Sequence, residues 1–499
     1  MTIFKNKTYN KIFFYTLFFS VFLNFSLYLY TPFVMDTFYN ISGNNYLNLL
    51  RNGRYLRVIV DNIIYFLGNK FLVPYFSLIC SSIIYAYTFV ILYKLFKISD
   101  YEYQILLPAS IILPCFNLIN PFINDVPIFA FNFLLSVLSV YLIFNFKTKF
   151  KYILFTIINI FILSTYQIAF FFSISLLSLC IINKFIDENN ILISLKISFA
   201  CLLCLVTCII FYFIIIKLST ETFNSRNAGV SLFNIIKTYA AFLILPFKSY
   251  MELNETLISK ISIFIIYIIL FYLLFNLVLY FKNNVRNMIY VILLIIIFPV
   301  SMNSILLILK NPSRGMYQEL FIIIIPYLLL SKNLNINERT FQFIKRMLFL
   351  SLIILLTSNF YTANARYQEI KNRNDAERAY VIELVSGIRQ CEGYTSQTKI
   401  AFINNTPGNL HDFNLSDFYE EYVQGRFGTE YSSSIIRFNY GDGLERALNY
   451  FAAFKFNKVS NDELNKLKVS DDVKIMPIYP NYGSIKKIVE FIVVKFSEP

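Results

Sequence analysis

The recurrence of long apolar runs is the feature that most constrains this chain. Runs of about 18 residues or more recur through the first three quarters of the sequence, and short loops rich in lysine and arginine separate them. About 20 apolar residues in a helix cross the roughly 30 Å hydrocarbon core of a bilayer. Since backbone polar groups inside that core must bond within the protein, helices are the expected spanning elements. Hydrophobic residues make up 57% of the chain, and the sequence predicts an α-helical polytopic membrane protein.

We expect about 11 transmembrane helices. Three prolines, Pro108, Pro114 and Pro121, interrupt the third and fourth apolar segments, and a proline inside a helix removes a hydrogen bond. The predicted spans are 12–33, 72–93, 104–120, 126–146, 152–166, 168–186, 192–216, 259–281, 287–307, 318–331 and 347–361.

The basic loops predict the orientation. Lysine and arginine concentrate in cytoplasmic loops, and the main basic clusters all fall on one side if the N-terminus is cytoplasmic. The net charge of +14 then reflects membrane topology, and we expect no nucleic-acid partner. These clusters are Lys5, Lys7 and Lys11; Lys94 and Lys97; Lys147, Lys149 and Lys151; Lys282 and Arg286; and Lys332, Arg339, Lys345 and Arg346.

The sequence after about residue 365 is much more polar than the part before it. We place the domain boundary between 1–365, a transmembrane domain, and 366–499, a small extracytoplasmic α/β domain. An amphipathic helix is expected over 373–390 and strands over 399–404 and 488–495. The apolar side of that helix is predicted to carry Ala376, Tyr380, Ile382, Leu384, Val385 and Ile388.

A single acid follows the first span. Asp36 lies in the loop up to about residue 70, which is long and amphipathic and therefore fits the surface of a bilayer. A carboxylate there is either a solvated loop residue or a catalytic base. The only histidine is His411, in the tail, so general-base chemistry in the membrane part falls to carboxylates.

Arginines on the same face are candidates for binding phosphate. Arg51, Arg54 and Arg57 recur on roughly one face of a helix, and Arg314 lies in a later loop of the same side. The planar guanidinium binds phosphate with two parallel donors. The alternative for the cluster is an anchor to lipid headgroups, and both interpretations place an anionic phosphate beside it.

Further polar residues at outer loops are candidates for substrate binding. Asp125 either caps the following helix or contributes to the site. A polar pair in an apolar region, Tyr166 and Gln167, is expected to face protein or a wet cavity. Tyr317 and Glu319 follow Arg314 at the start of the next predicted helix.

Several classes of site are absent from the sequence. It contains no phosphate-binding Walker loop, no dinucleotide-binding glycine pattern and no nucleophile elbow. The spacing of Cys201, Cys204 and Cys208 suits one helical face, where they are expected to be packing residues. We therefore expect neither a metal nor a cofactor.

The motifs resemble those of the bacterial Gtr type II O-antigen glucosyltransferases, a family with the GT-C architecture. The resemblance covers most of 1–430 by order and spacing, although the acidic pair common in that family is here the single acid of Asp36-Thr37. The matching motifs are Asp36, Asn52-Gly53-Arg54, Asn120-Pro121-Phe122 with Asn124-Asp125, Tyr166-Gln167 and Pro312-Ser313-Arg314.

The resemblance implies a function. A glucosyl group would pass from polyprenyl-phosphate-glucose to a surface polysaccharide such as lipopolysaccharide O-antigen, on the outer face of the inner membrane. Asp36 would be the base, and Arg54 and Arg314 would bind the donor phosphate. Two alternatives stay open: another GT-C glycosyltransferase with a different sugar or acceptor, and a flippase or transporter of lipid-linked glycans.

Overall fold

A computed structural model of the chain describes residues 6–24, 56–57, 59, 74–113, 116, 126–219, 257–303, 320–332, 334, 336–403 and 443–496. Contacts between Cα atoms divide these residues into two compact units, with the boundary between Tyr367 and Gln368. Within these described residues, eleven α-helices begin in the first unit: α1 Lys7–Leu23, α2 Pro74–Phe96, α3 Tyr101–Ala109, α4 Val126–Asn145, α5 Phe150–Thr165, α6 Gln167–Glu188, α7 Ile191–Ser219, α8 Leu257–Tyr280, α9 Val285–Asn303, α10 Phe321–Leu330 and α11 Glu338–Gln390.

Six of the described helical segments are long and apolar enough to cross a membrane. Their outward faces carry large apolar side chains, as in α7, where Phe199 is 64% exposed and Leu202 is 57% exposed. Apolar faces of this kind are expected to contact the acyl chains of the bilayer. The first unit is therefore a polytopic membrane structure. The six segments are Ser77–Phe96, Val126–Asn145, Ala169–Glu188, Ile191–Ile214, Leu257–Tyr280 and Glu338–Ala365.

The other five predicted spans overlap shorter described helices. Four of them extend beyond the described residues, over 25–33, 114–115 with 117–120, 304–307 and 318–319. Apolar helices of 10–17 residues lie at Phe150–Thr165, Val285–Phe298 and Phe321–Leu330. The third predicted span begins as α3, which contains Pro108. This helix ends at Ala109, one residue after the proline, and a 3₁₀ turn follows over Ser110–Ile112. Because Pro108 donates no backbone hydrogen bond, the helix ends close to it.

One predicted boundary is wrong. The span predicted at 347–361 and the amphipathic helix predicted at 373–390 are parts of one helix, α11, of 53 residues. The segment between them is polar but contains neither glycine nor proline, so it lowers hydropathy without breaking the helix. A change of solvent preference along a chain does not by itself end a helix.

The described part of the second unit is built around a mixed four-stranded sheet. Its strands are β1 Lys399–Ile403, β2 Asn457–Lys458, β3 Ile485–Ile488 and β4 Phe491–Lys495, in the order β2-β1-β4-β3. β1 is parallel to β2 and β4, whereas β3 is antiparallel to β4. The strand predicted over 399–404 is confirmed as β1. The one predicted over 488–495 is wrong in its bounds, because a turn between β3 and β4 occupies its start.

Helices cover both faces of this sheet. Alternate residues of a strand point to opposite faces, so Ile400 packs with the end of α11 and with α12, Gly443–Ala452, whereas Ala401 and Ile403 pack with α13, Asn461–Val469, and α14, Asp471–Lys474. On α11, the predicted apolar residues Tyr380, Leu384, Val385 and Ile388 are buried, but Ile382 is 48% exposed and Val381 is buried in its place.

Candidate functional site

Three of the ten predicted site residues lie in the described part of the chain: Arg57, Tyr166 and Gln167. The predicted base Asp36 is outside the described residues. So are six of the predicted binding residues: Arg51, Arg54, Asp125, Arg314, Tyr317 and Glu319.

The site can be built outward from a helix break at Tyr166. α5 ends at Thr165, Tyr166 is extended with φ −154° and ψ 98°, and α6 begins at Gln167. No glycine or proline lies at this point. The hydroxyl of Ser164, two residues earlier, donates to the carbonyl of Ile160 at 2.7 Å. The break confirms the predicted division between the fifth and sixth spans.

Helix α4 holds the break from both sides. The hydroxyl of Thr165 donates to Oδ1 of Asn132 at 2.5 Å, and the hydroxyl of Ser136 donates to the carbonyl of Ala169 at 2.9 Å. Asn132 and Ser136 are four residues, or about one turn, apart on α4. Their partners Thr165 and Ala169 are also four residues apart, on either side of Tyr166. The two bonds therefore hold the residues on both sides of the break against a single face of α4.

The orientation of the Asn132 amide follows from its partners. Nδ2 of Asn132 donates to the carbonyl of Ile128 at 2.8 Å, so Oδ1 is the atom that accepts from Thr165. Asn132, Ser136 and Thr165 are all at most 1% exposed. Buried polar groups in apolar surroundings are costly unless they are bonded in this way.

Tyr166 packs on the first turn of α4. Its ring lies 4.5 Å from the ring of Phe129, measured between centroids, and its exposure is 3%. Phe129 lies in the first turn of α4, which begins at Val126 immediately after Asp125. Because consecutive Cα atoms are about 3.8 Å apart, the packing of Tyr166 lies within about one helical turn of the start of α4.

Gln167 reaches a third helix. Its Nε2 atom donates to the hydroxyl of Tyr212 on α7 at 2.9 Å. Gln167 is half-buried and Tyr212 is buried, with 7% exposure. We call Asn132, Ser136, Thr165, Tyr166, Gln167 and Tyr212 the helix-break cluster. It joins four helices through neutral hydroxyl and amide groups.

Arg57 is inside the protein. Its exposure is 3%, and a lipid-headgroup anchor requires a side chain whose charged end reaches the surface. Burial of this guanidinium therefore argues against the anchor interpretation for this arginine. Its binding of the donor phosphate stays a prediction.

Ion pairs occupy a different region of the first unit. Asp187, 20 residues along α6 from Gln167 and hence about 30 Å away, pairs with Lys332. Lys345 pairs with Asp100 at 2.7 Å and with Glu102 at 3.0 Å. Burial raises the pKa of Asp100, but its hydrogen bonds with Glu102 and Lys345 lower it more, so the pKa lies below the usual value. These pairs tie helix ends together and are structural.

Sequence reasoning missed four members of the helix-break cluster: Asn132, Ser136, Thr165 and Tyr212. A signal existed for Asn132, because an amide in an otherwise apolar span is expected to face protein. None existed for Tyr212, which is one of 37 tyrosines. Its role depends on the packing of α6 against α7.

The chemistry open to the helix-break cluster is binding and orientation. Its amides and hydroxyls donate and accept hydrogen bonds, as sugar hydroxyls require. None of its six residues is a carboxylate or an imidazole, so the cluster does not supply a general base. Within the described residues, no group of three or more His, Cys, Asp or Glu is arranged to hold a metal ion.

Comparison with known proteins identifies the family. Neither the curated proteins nor the solved structures contain a significant match. A family model described as glucosyl transferase GtrII matches residues 19–328, which is more than half of the chain and includes α2 to α9. This match confirms the family predicted from the motifs. The chain therefore belongs to the glucosyl transferase GtrII family, and it is a membrane glycosyltransferase.

Proposed function

We propose that the chain transfers a glucosyl group from polyprenyl-phosphate-glucose to a surface polysaccharide, such as the O-antigen of lipopolysaccharide. The observation that carries the proposal is the family match over residues 19–328, which coincides with a helical membrane unit. A lipid-linked donor suits an enzyme whose site lies among such helices, because the lipid tail stays in the bilayer while the phosphate reaches the interface.

The chemistry needs one base and a group that stabilises the leaving phosphate. The acceptor hydroxyl oxygen attacks the anomeric carbon, and Asp36 takes the hydroxyl proton. The bond between the anomeric carbon and the phosphate oxygen breaks, and polyprenyl phosphate leaves with the electron pair. Arginine side chains stabilise the charge that develops on that oxygen. We assign this role to Arg51, Arg54, Arg57 and Arg314.

The remaining site residues orient the sugar substrates. We assign Tyr166 and Gln167 to this role because both belong to the helix-break cluster. We assign Asp125 because it directly precedes α4, and Tyr166 packs against the first turn of that helix. We assign Tyr317 and Glu319 to the same substrate site. No cofactor or metal takes part in the proposed reaction.

We place the reaction on the outer face of the inner membrane. The proposed topology has about 11 spans, a cytoplasmic N-terminus and an extracytoplasmic domain over 366–499, and it rests on the asymmetric distribution of lysine and arginine. A reporter enzyme that works only in the cytoplasm, fused after residue 365, should be inactive. An active fusion would overturn the topology and the placing of Asp36.

One observation favours an enzyme over a transporter. Transporters carry ionisable residues at mid-membrane depth. In the six described candidate spans, aspartate and glutamate occur only at the ends: Asp187 and Glu188 finish one span, and Glu338 starts another. No aspartate or glutamate therefore lies at mid-membrane depth in the described spans, which favours an enzyme over a transporter.

The test uses membrane vesicles with labelled polyprenyl-phosphate-glucose and a surface glycan acceptor. The parent chain should transfer glucose, and Asp36→Asn should lose about 10²-fold to 10⁴-fold of that activity at unchanged abundance, because an amide cannot accept the proton. Asp125→Asn is the matched control. If the Asp36 variant is active and the Asp125 variant is inactive, Asp125 is the base and Asp36 is not. If both variants are active, neither carboxylate is the base.

A different sugar is the main alternative within the same reaction type. Vesicles supplied with polyprenyl-phosphate-mannose or a pentose donor decide it. Transfer from one of those donors, without transfer from the glucosyl donor, would replace the proposed substrate and leave the glycosyltransferase assignment in place.

A further inference from the structure

The hydrogen bond between Gln167 and Tyr212 does not serve to hold the helix break. The residues on both sides of Tyr166 are already bonded to α4, through the side chain of Thr165 on one side and the backbone carbonyl of Ala169 on the other. The contact with α7 instead bonds the side-chain amide of Gln167. Its direct effect is therefore on where that amide points.

The contact holds the side chain of Gln167 in one direction. Nε2 of Gln167 donates to the hydroxyl of Tyr212 at 2.9 Å, so the amide is held beside α7. A glutamine side chain otherwise has several rotamers of similar energy, and ordering it costs free energy. A bond that selects one orientation in advance lowers the cost of binding a partner.

The position of Gln167 suits contact with a substrate. Gln167 is half-buried at the first position of α6, beside Tyr166, whose ring packs on the first turn of α4. A polar side chain in such an apolar region faces protein or a wet cavity. An amide with one donor side and one acceptor side suits the hydroxyl groups of a sugar ring.

We propose that Tyr212 is a positioning residue that orients the Gln167 amide toward a hydroxyl of a sugar substrate. The assignment rests on the proposed function. The sugar is either the glucosyl group of the lipid-linked donor or the terminal residue of the glycan acceptor. These share the hydroxyl chemistry that an amide recognises, and separate measurements on the two substrates distinguish them.

A purely structural hydrogen bond between α6 and α7 would behave differently. Hydrogen bonds between membrane helices contribute to stability, so its loss would lower stability or abundance without changing substrate affinity. A positioning bond changes the Michaelis constant for one substrate. When ground state and transition state lose the same interaction, KM rises and kcat stays nearly constant.

The experiment measures kcat and KM in vesicles, with polyprenyl-phosphate-glucose varied in one series and the glycan acceptor in the other. Tyr212→Phe should raise KM for one of the two substrates by about 3-fold to 10-fold, as expected for one neutral hydrogen bond. Tyr290→Phe is the matched control, because its hydroxyl also bonds across helices, to Ser194 at 2.8 Å, but near the start of α7 rather than its end. It should leave both KM values unchanged.

A double substitution tests whether Tyr212 acts through Gln167. Gln167→Ala should raise the same KM, and adding Tyr212→Phe to it should change nothing further. Gln167→Asn keeps the amide but shortens it, so it should reproduce the effect of Tyr212→Phe even if the latter chain is poorly made.

Three results would overturn the assignment. In a parent chain that transfers glucose, unchanged KM values in Tyr212→Phe and Gln167→Asn would refute the positioning role alone, as would additive effects in the double variant. A parent chain that transfers no glucose from the lipid donor would refute the proposed function, and this assignment with it.

Discussion

Replacing Thr165 by valine tests the packing of the helix break. The hydroxyl has one proton and three acceptors within reach: Oδ1 of Asn132 at 2.5 Å, the carbonyl of Phe161 at 2.9 Å and that of Ile162 at 3.1 Å. The shortest bond is the one between helices, and valine removes it while nearly keeping the volume. Oδ1 of Asn132, on a side chain with 0% exposure, then loses this donor.

The expected loss combines two magnitudes. A hydrogen bond between membrane helices contributes about 0.6 kcal/mol on average and up to about 1.7 kcal/mol. A buried acceptor left without its donor costs about 1–3 kcal/mol. We therefore expect Thr165→Val to lower the free energy of unfolding by about 1–1.7 kcal/mol, the range in which the two estimates overlap.

A matched control isolates the contact between helices. Thr207 on α7 also bonds the carbonyl four residues earlier, that of Leu203, at 2.8 Å, but it is exposed on the apolar surface. Thr207→Val should change the free energy of unfolding little, and Thr165→Ser, which keeps a hydroxyl, should recover part of the loss. The measurement is reversible denaturation in detergent micelles. If Thr165→Val is no less stable than Thr207→Val, the argument for the break is wrong.

Two further predictions concern charge. Arg54→Ala and Arg314→Ala should each weaken donor use by about 10-fold or more, since a charge-assisted hydrogen bond is worth about 1.5–3 kcal/mol, and lysine should rescue only partly; unchanged donor KM in folded variants would contradict this. The pKa of Glu463 lies at about 2 because its carboxylate accepts hydrogen bonds from Lys399 and Ser460. As that pKa is depressed below 4.5, its stabilisation is present at neutral pH and lost as pH falls from 4.5 toward 2. Glu463→Gln should flatten the acid dependence of protease resistance in the 391–499 segment, and an unchanged dependence would refute the linkage.

Helix positions in the first unit were predictable because they follow from local composition. Whether a segment prefers lipid depends on a window of about 20 residues, so the predicted pair 152–166 and 168–186 corresponds to α5 and α6 with the break at Tyr166. The bounds of α11 were not predictable in this way. Helix continuity depends on backbone hydrogen bonding, which the polar residues after the apolar part do not interrupt.

The partners within the site were beyond the reach of sequence reasoning. Tyr166 and Gln167 stood out as polar residues between apolar runs, and the family motif drew attention to the same pair. Tyr212 stood out in neither respect, since a tyrosine in an apolar helix is unremarkable in a chain with 37 of them. What distinguishes it is a bond across 45 positions of sequence.

The sequence by itself determined the membrane class, the approximate positions of the helices and, through its ordered motifs, the family. The membrane class and the helix positions depend on the transfer of short segments between water and lipid, and each segment's own composition determines that transfer. Only the tertiary structure decided that Asn132 meets Thr165 across 33 positions, that Gln167 meets Tyr212, and that the strands of the second unit run in the order β2-β1-β4-β3. Such pairings depend on how whole helices and strands pack, because many distant contacts must be satisfied at once.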